Sequence, residues 1–187
     1  GMVLLKNEDG ALPLVSKGGK CKVAVFGLGQ IFTVKGGTGS GEVNNARNVN
    51  ILEGLTACSG LEVDRLVASK YEAWAASHPP VKSNPLKPEV FSNEEVPIDI
   101  VNVELAAQRT DAAIIVISRI AGEGCDLKGE KGDYFLRDSE IDMINEVCRH
   151  FQRTILILNT SGVIDTSFID NRIKAVIFTS LPGQEAG

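Results

Sequence analysis

Four carboxylates, Glu123, Asp126, Glu130 and Asp133, stand among four glycines in the short stretch "AGEGCDLKGEKGD" (121–133). A carboxyl group that is desolvated, or set near another negative charge, holds its proton to higher pH and can act as a general acid. Glycines on both sides of Glu123 open backbone paths that other residues avoid, so this carboxylate can be projected outward. Glu130 stands beside Lys128 and Lys131, where an ammonium would favour the ionised form and make a poorer acid. Asp126 and Asp133 offer oxygens to a cation, but their spacing is not that of an EF-hand loop. On residue chemistry alone, general acid/base work and plain solvation of an acidic loop both stand.

A second glycine-rich stretch, "VFGLGQIFTVKGGTGSGEV" (25–43), follows an apolar run. Gly27-Leu28-Gly29 lacks the third glycine of a dinucleotide fingerprint, and "GGTGSG" lacks the Lys-Ser/Thr pair that grips phosphate and magnesium. Nucleotide binding is therefore disfavoured. What remains is a loop in which Gly39 and the small hydroxyl of Ser40 can approach a ligand, or a tight turn with none. No Ser-His-Asp constellation emerges: His78 falls in a proline-rich stretch, His150 near a helix end, and Ser161-Gly162 lacks the nucleophile-elbow context. The four cysteines form no C-x-x-C pair and only two histidines accompany them, which gives no pattern for a metal or a cofactor and reads as free thiols.

The elements that must position these residues follow from hydrophobic patterning. Val/Ile-rich runs lie at 22–29, 61–69, 112–120, 154–161 and 174–182, and four of the five end in Gly, Ser or Pro. Several are apolar nearly throughout, the mark of parallel strands covered on both faces. Helical stretches lie between them. "NILEGLTACSG" starts with Asn50 as N-cap and Glu53 three residues on. "VNVELAAQR" repeats Val101, Leu105 and Ala106 on one face. "DSEIDMINEVCRHF", capped by Asp138 or Ser139, carries the stripe Ile141, Ile144, Val147, Cys148 and Phe151. The alternation predicts an α/β fold, a three-layer sandwich with a mostly parallel sheet flanked by helices. Residues 78–97 hold five of the seven prolines and read as an irregular surface excursion.

A length of 187 residues suits one domain, and an apolar fraction of 43% supports a core. The net charge of −5, with no Lys/Arg-rich run, excludes the usual electrostatics of a nucleic-acid partner. No apolar run approaches the roughly 18 residues that span a bilayer. Composition leaves cytoplasmic and secreted compartments equally open.

Five landmarks in order resemble one known family. "GMVLLKNEDGALPL" (1–14) resembles the lead into the second domain of glycoside hydrolase family 3, the β-glucosidase group. "GGTGSGEV" (36–43) resembles that domain's glycine-serine loop, and "VISRIAGEGCDLKGEKGDYFL" (116–136) its acid/base loop. "ILNTSGVID" (157–165) and "LPGQEAG" (181–187) resemble its later landmarks. The resemblance implies that residues 1–187 form the C-terminal α/β sandwich domain of a retaining, exo-acting β-glycosidase acting on a carbohydrate. It implies an N-terminal (β/α)8 barrel domain, outside this chain, that carries an aspartate nucleophile. Glu123, in the "GEG" of the motif, is implied to be the acid/base, with Glu130 beside "KGD" as its rival. Ser40, with Gly39, is implied to touch the sugar. The sequence departs from the family pattern at Cys125 and Leu127, where many members have an aromatic residue and an arginine, so contacts to the leaving group are expected to differ. Further expectations are a domain trimmed at "PGQEAG" and an apolar docking face near 36–43 and 121–136. A fragment without its barrel would hide that face by self-association. The competing reading is a non-catalytic carbohydrate-interaction or scaffold module with the same fold.

Overall fold

The computed structural model describes residues 1–15, 18–38, 47–80, 94–124 and 126–187. Among them, six strands form one sheet in the order β1-β6-β5-β4-β2-β3. The central strands are β2 (Cys21–Phe26), β4 (Ala112–Arg119) and β5 (Thr154–Thr160), flanked by β6 (Ile173–Phe178) and the short β3 (Leu61–Val63). These five run parallel. Only β1 (Val3–Asn7), at the far edge, pairs antiparallel, with β6.

The near-continuous apolar runs are explained by the two faces they cover. On β4, Ala113, Ile115 and Ile117 enter one core, while Ala112, Ile114 and Val116 enter the other. This is the two-residue period of a strand with no solvent face. The first core packs under α2 (Arg65–Ser77), α4 (Val103–Arg109) and α5 (Asp138–His150), with Tyr71, Met143 and Val147 fully buried. A one-turn helix α3 (Ile98–Val101) adds Val101. The second core packs under α1 (Ile51–Ala57) and the segment carrying Ala11, Leu12 and Leu14. Helices on both faces of a mostly parallel sheet make the three-layer sandwich expected from the sequence. No helix among the described residues is long and apolar enough to cross a membrane.

The Asn50–Glu53 capping box forms as expected: the Asn50 side chain accepts from Glu53 N at 2.8 Å and the Glu53 carboxylate accepts from Asn50 N at 2.8 Å. The run 61–69 is a strand only as far as Val63. Asp64 then accepts from the N–H groups of Leu66 and Val67 and starts α2, an N-cap hidden inside an apolar stretch. In α4 the buried residues are Val103 and Ala106, and Leu105 faces solvent. Helix α5 is capped by Arg137, not by Asp138 or Ser139, because Arg137 is extended and Glu140 reaches back to its N–H at 2.8 Å. The edge strand β1 carries no alternation, since Val3, Leu4 and Leu5 are all about half exposed. The core of the proline-rich excursion, residues 81–93, lies outside the described residues. Its end is no surface loop, however, because Glu95 and Val96 are buried.

Leu156, fully buried at the centre of β5, tests the packing. Leu156→Ala is expected to lower stability by roughly 2–5 kcal/mol, read as a lower denaturant midpoint with an unchanged m-value.

Candidate functional site

The strand order reverses around β2. The chain passes from β2 to β3 on one side, then crosses back to β4 on the other. Such a reversal opens a crevice beyond the carboxyl ends of the two strands. Both glycine-bearing stretches leave from it. After β2, Gly27 has φ 91° and a Cβ there would overlap the carbonyl of Val116. The "GLG" is thus a steric requirement for laying a 3-10 turn (Leu28–Gln30) against β4, which explains it without a nucleotide.

The carboxylate loop leaves β4 through Arg119, and one guanidinium closes its base. Arg119 Nε donates to the carbonyl of Asp133 at 2.9 Å, and Nη1 donates to its neighbour's carbonyl, Ser118 O, at 2.8 Å. Nη1 and Nη2 also reach Glu140 Oε1 and Oε2 at 2.8 and 2.6 Å. Both side chains of this ion pair are only 8% exposed. Burying two charges is costly, and it is offset here by the two-pronged geometry and by the further bonds each partner makes. The outgoing arm is fixed separately, since the Ala121 N–H donates to Ser161 Oγ. Ser161 is therefore a loop anchor. Gly122 passes so close to the other loop that a Cβ would lie 2.6 Å from Thr38 N. Thr38 Oγ1 in turn donates to the Glu123 carbonyl at 3.3 Å.

Beyond these anchors the Glu123 side chain is exposed, followed by Gly124 at φ 73°. Glu130 is also exposed, but its backbone lies inside a tight turn. Its N–H donates to Lys128 O at 2.7 Å, its carbonyl accepts from Phe135 N at 3.1 Å, and Asp133 Oδ2 accepts from Lys128 N at 2.7 Å. Of the two ammonium groups expected beside Glu130, that of Lys131 pairs with Asp138, its Nζ 2.6 and 2.8 Å from the carboxylate oxygens. Asp133 thus serves the turn's own hydrogen bonding. Gly39, Ser40 and Cys125 lie outside the described residues. Of the large apolar side chains described near 121–136, Phe135 is exposed at 43%, whereas Met2–Leu5 form a longer exposed apolar stretch.

Sequence reasoning missed the supporting shell. Asn159, at the end of β5, is fully buried and uses all four hydrogen-bonding positions of its amide. Oδ1 accepts from Val34 N at 2.7 Å and Ser118 Oγ at 2.9 Å, and Nδ2 donates to Val34 O and Ser180 O, both at 2.9 Å. One side chain therefore aligns β4, the lead into the glycine-rich loop, and the turn after β6. Glu95 is the second omission. It accepts from Leu28 N at 3.0 Å and Val96 N at 2.9 Å. With Ser118, Arg119, Arg137 and Glu140 it lines a cavity of about 30 Å³. Burial, reinforced by the negative Glu140, outweighs the two N–H bonds and the Arg119 charge and pushes its carboxyl up to about 7. The only sequence signals were a charged residue and an amide closing apolar runs, in "VISR" and "LILNT".

This is an α/β domain that holds a carboxylate loop and a glycine-rich loop together beyond a sheet's switch point. The chain belongs to the glycosyl hydrolase family 3 C-terminal domain family, whose model matches residues 2–187. Relatives include a β-glucosidase of Ruminococcus albus, 36% identical over 91% of this chain, and β-glucosidase A of Butyrivibrio fibrisolvens, 33% identical over 100% of it. The chain spans 18% and 25% of the length of these two proteins. Among solved structures, a β-glucosidase from Paenibacillus barengoltzii superposes with a TM-score of 0.89 at 36% identity, over 98% of this chain and 20% of that one. β-Glucosidase 3B from Thermotoga neapolitana in complex with glucose gives 0.82 at 35% identity, over 98% and 26%.

Glu95 gives this site a pH signature. Its folded carboxyl titrates near 7, above the ordinary value of 4.5, so the folded state holds the proton that the unfolded chain releases. Its contribution to stability is complete below about pH 4.5, declines as pH rises, and is lost above about pH 7. Glu95→Gln should flatten the stability curve between pH 5 and about 7 relative to the parent, measured by urea denaturation across that range.

Proposed function

We propose that this chain is the acid/base-bearing domain of a retaining, exo-acting β-glycosidase of the β-glucosidase kind, which removes terminal non-reducing sugar residues. The observation that carries the reading is Glu123, exposed on a glycine-flanked loop whose base is fixed beyond the end of β4. The names of the relatives support a β-glucoside as substrate. Their length supports a further domain in the whole protein, read here as a (β/α)8 barrel with an aspartate nucleophile. Residues 1–187 are then the sandwich domain of that enzyme.

The chemistry follows from two carboxyl groups. The aspartate attacks the anomeric carbon while Glu123 gives its proton to the departing glycosidic oxygen. This leaves a covalent glycosyl-enzyme and an ionised Glu123. The carboxylate then takes a proton from water, whose oxygen attacks the same carbon and releases the sugar and the aspartate. Two-step retention requires the carboxyls to lie roughly 5–5.5 Å apart, so the loop must cross to the barrel's active site. Glu123 suits that reach better than Glu130, whose backbone is held inside the 128–135 turn. Gly39 and Ser40 are read as contacts to the sugar.

In the full-length enzyme, Glu123→Gln is expected to lower kcat/KM by about 10²–10⁴ for glycosides with poor leaving groups. Activated aryl glycosides should lose less in the first step, and azide should restore turnover in the second. Glu130→Gln should show neither effect; the reverse assignment is required if it alone shows both. Residues 1–187 by themselves should not turn over aryl β-glucosides, since the nucleophile is assigned to another domain. Activity that co-purifies with the homogeneous chain through successive columns would refute this.

A further inference from the structure

Arg119 is the last residue of β4, and its guanidinium touches both sides of the stretch that follows. Nε donates to the carbonyl of Asp133, fourteen residues on, while Nη1 and Nη2 are held by Glu140 in the first turn of α5. Glu140 is itself fixed by the Arg137 N–H. Within this closed base the chain makes its excursion to Glu123. On the outgoing arm the Ala121 N–H donates to Ser161 Oγ, and Thr38 Oγ1 donates to the Glu123 carbonyl. The guanidinium is too deeply buried to meet a sugar, at 8% side-chain exposure. It can act only through the loop.

We propose that Arg119, oriented by Glu140, is a positioning residue for Glu123, closing the base of the carboxylate loop so that the acid is delivered at a fixed height above the sheet. The inference rests on the acid/base reading above. A lysine at 119 keeps a positive charge beside Glu140, but its three donors share one nitrogen, so it cannot reproduce the two-pronged hold on Glu140 and also span to Asp133 O. Replacing Arg119 and Glu140 together by methionine removes both charges, leaves neither buried alone, and opens the loop's base. Misplacing a reacting group by about 1 Å costs roughly 10²-fold in rate.

The test uses the full-length enzyme with Arg119→Lys, the double variant Arg119→Met/Glu140→Met, and Glu123→Gln as reference, each first shown folded by its thermal transition. The double variant keeps the question open to measurement if the single one folds poorly. The expected result is a loss in kcat/KM of about 10- to 100-fold with alkyl glucosides, a clearly smaller loss with 2,4-dinitrophenyl glucoside, and acceleration of the latter by azide. Equal losses with both substrates and no azide effect would follow from a merely structural role and would overturn the proposal, as would unaltered kinetics. If Glu123→Gln shows the leaving-group pattern and the Arg119 variants do not, only the positioning role falls. If Glu123→Gln itself lacks the pattern, the acid/base reading has failed and the role of Arg119 falls with it.

Discussion

The buried ion pair between Arg119 and Glu140 is the constraint around which this end of the molecule is arranged. Neither charge could stay out of water alone: removing one partner of such a pair costs roughly 3–5 kcal/mol. Each must therefore be brought to the other, and doing so fixes three pieces of chain. Strand β4 ends where Arg119 can turn inward, and α5 starts where Glu140 can also reach back to its own N-terminus. The loop between them must return close enough for Asp133 to offer its carbonyl. The carboxylate loop is thus open at its tip and determined at its root.

The surroundings follow the same accounting of polar groups. A parallel sheet leaves backbone donors and acceptors unpaired at its strand ends, and burying them without partners is costly. Asn159 satisfies both backbone groups of Val34 and the carbonyl of Ser180. Glu95 satisfies Leu28 N. A charged carboxylate next to Glu140 would be the weak point of this network, and proton uptake by Glu95 relieves it. The switch point between β2 and β4 is where all these groups converge, so the polar interior and the candidate site share one location.

The fold was legible because its signals are dense and periodic. The runs that became β2, β4, β5 and β6 are apolar on both faces, and the spacing of Ile144, Val147 and Cys148 marks a helix on a sheet. Leu61–Val63 and the start of α2 read as one apolar run because Asp64 caps a helix from within it, a signal carried only by its side chain on Leu66 N and Val67 N. Strand β1 has no pattern of its own and exists through its pairing with β6. The loop bearing Glu123 was legible from its glycines and acids. Its support was not, because Arg119, Glu140, Asn159 and Glu95 are far apart in sequence and only the packing of β4 with α5, β5 and β2 brings them together.

The central claim is that Glu123, on a loop rooted by Arg119, supplies the carboxyl that faces a nucleophile on another domain. A crystal structure of the full-length enzyme, trapped as its glycosyl intermediate with a 2-fluoro glycoside, measures this directly. The account predicts the Glu123 carboxyl about 5–5.5 Å from the glycosylated aspartate, with the Arg119–Asp133 carbonyl bond intact. A sugar faced instead by Glu130, or Glu123 directed away from the anomeric carbon, would contradict it.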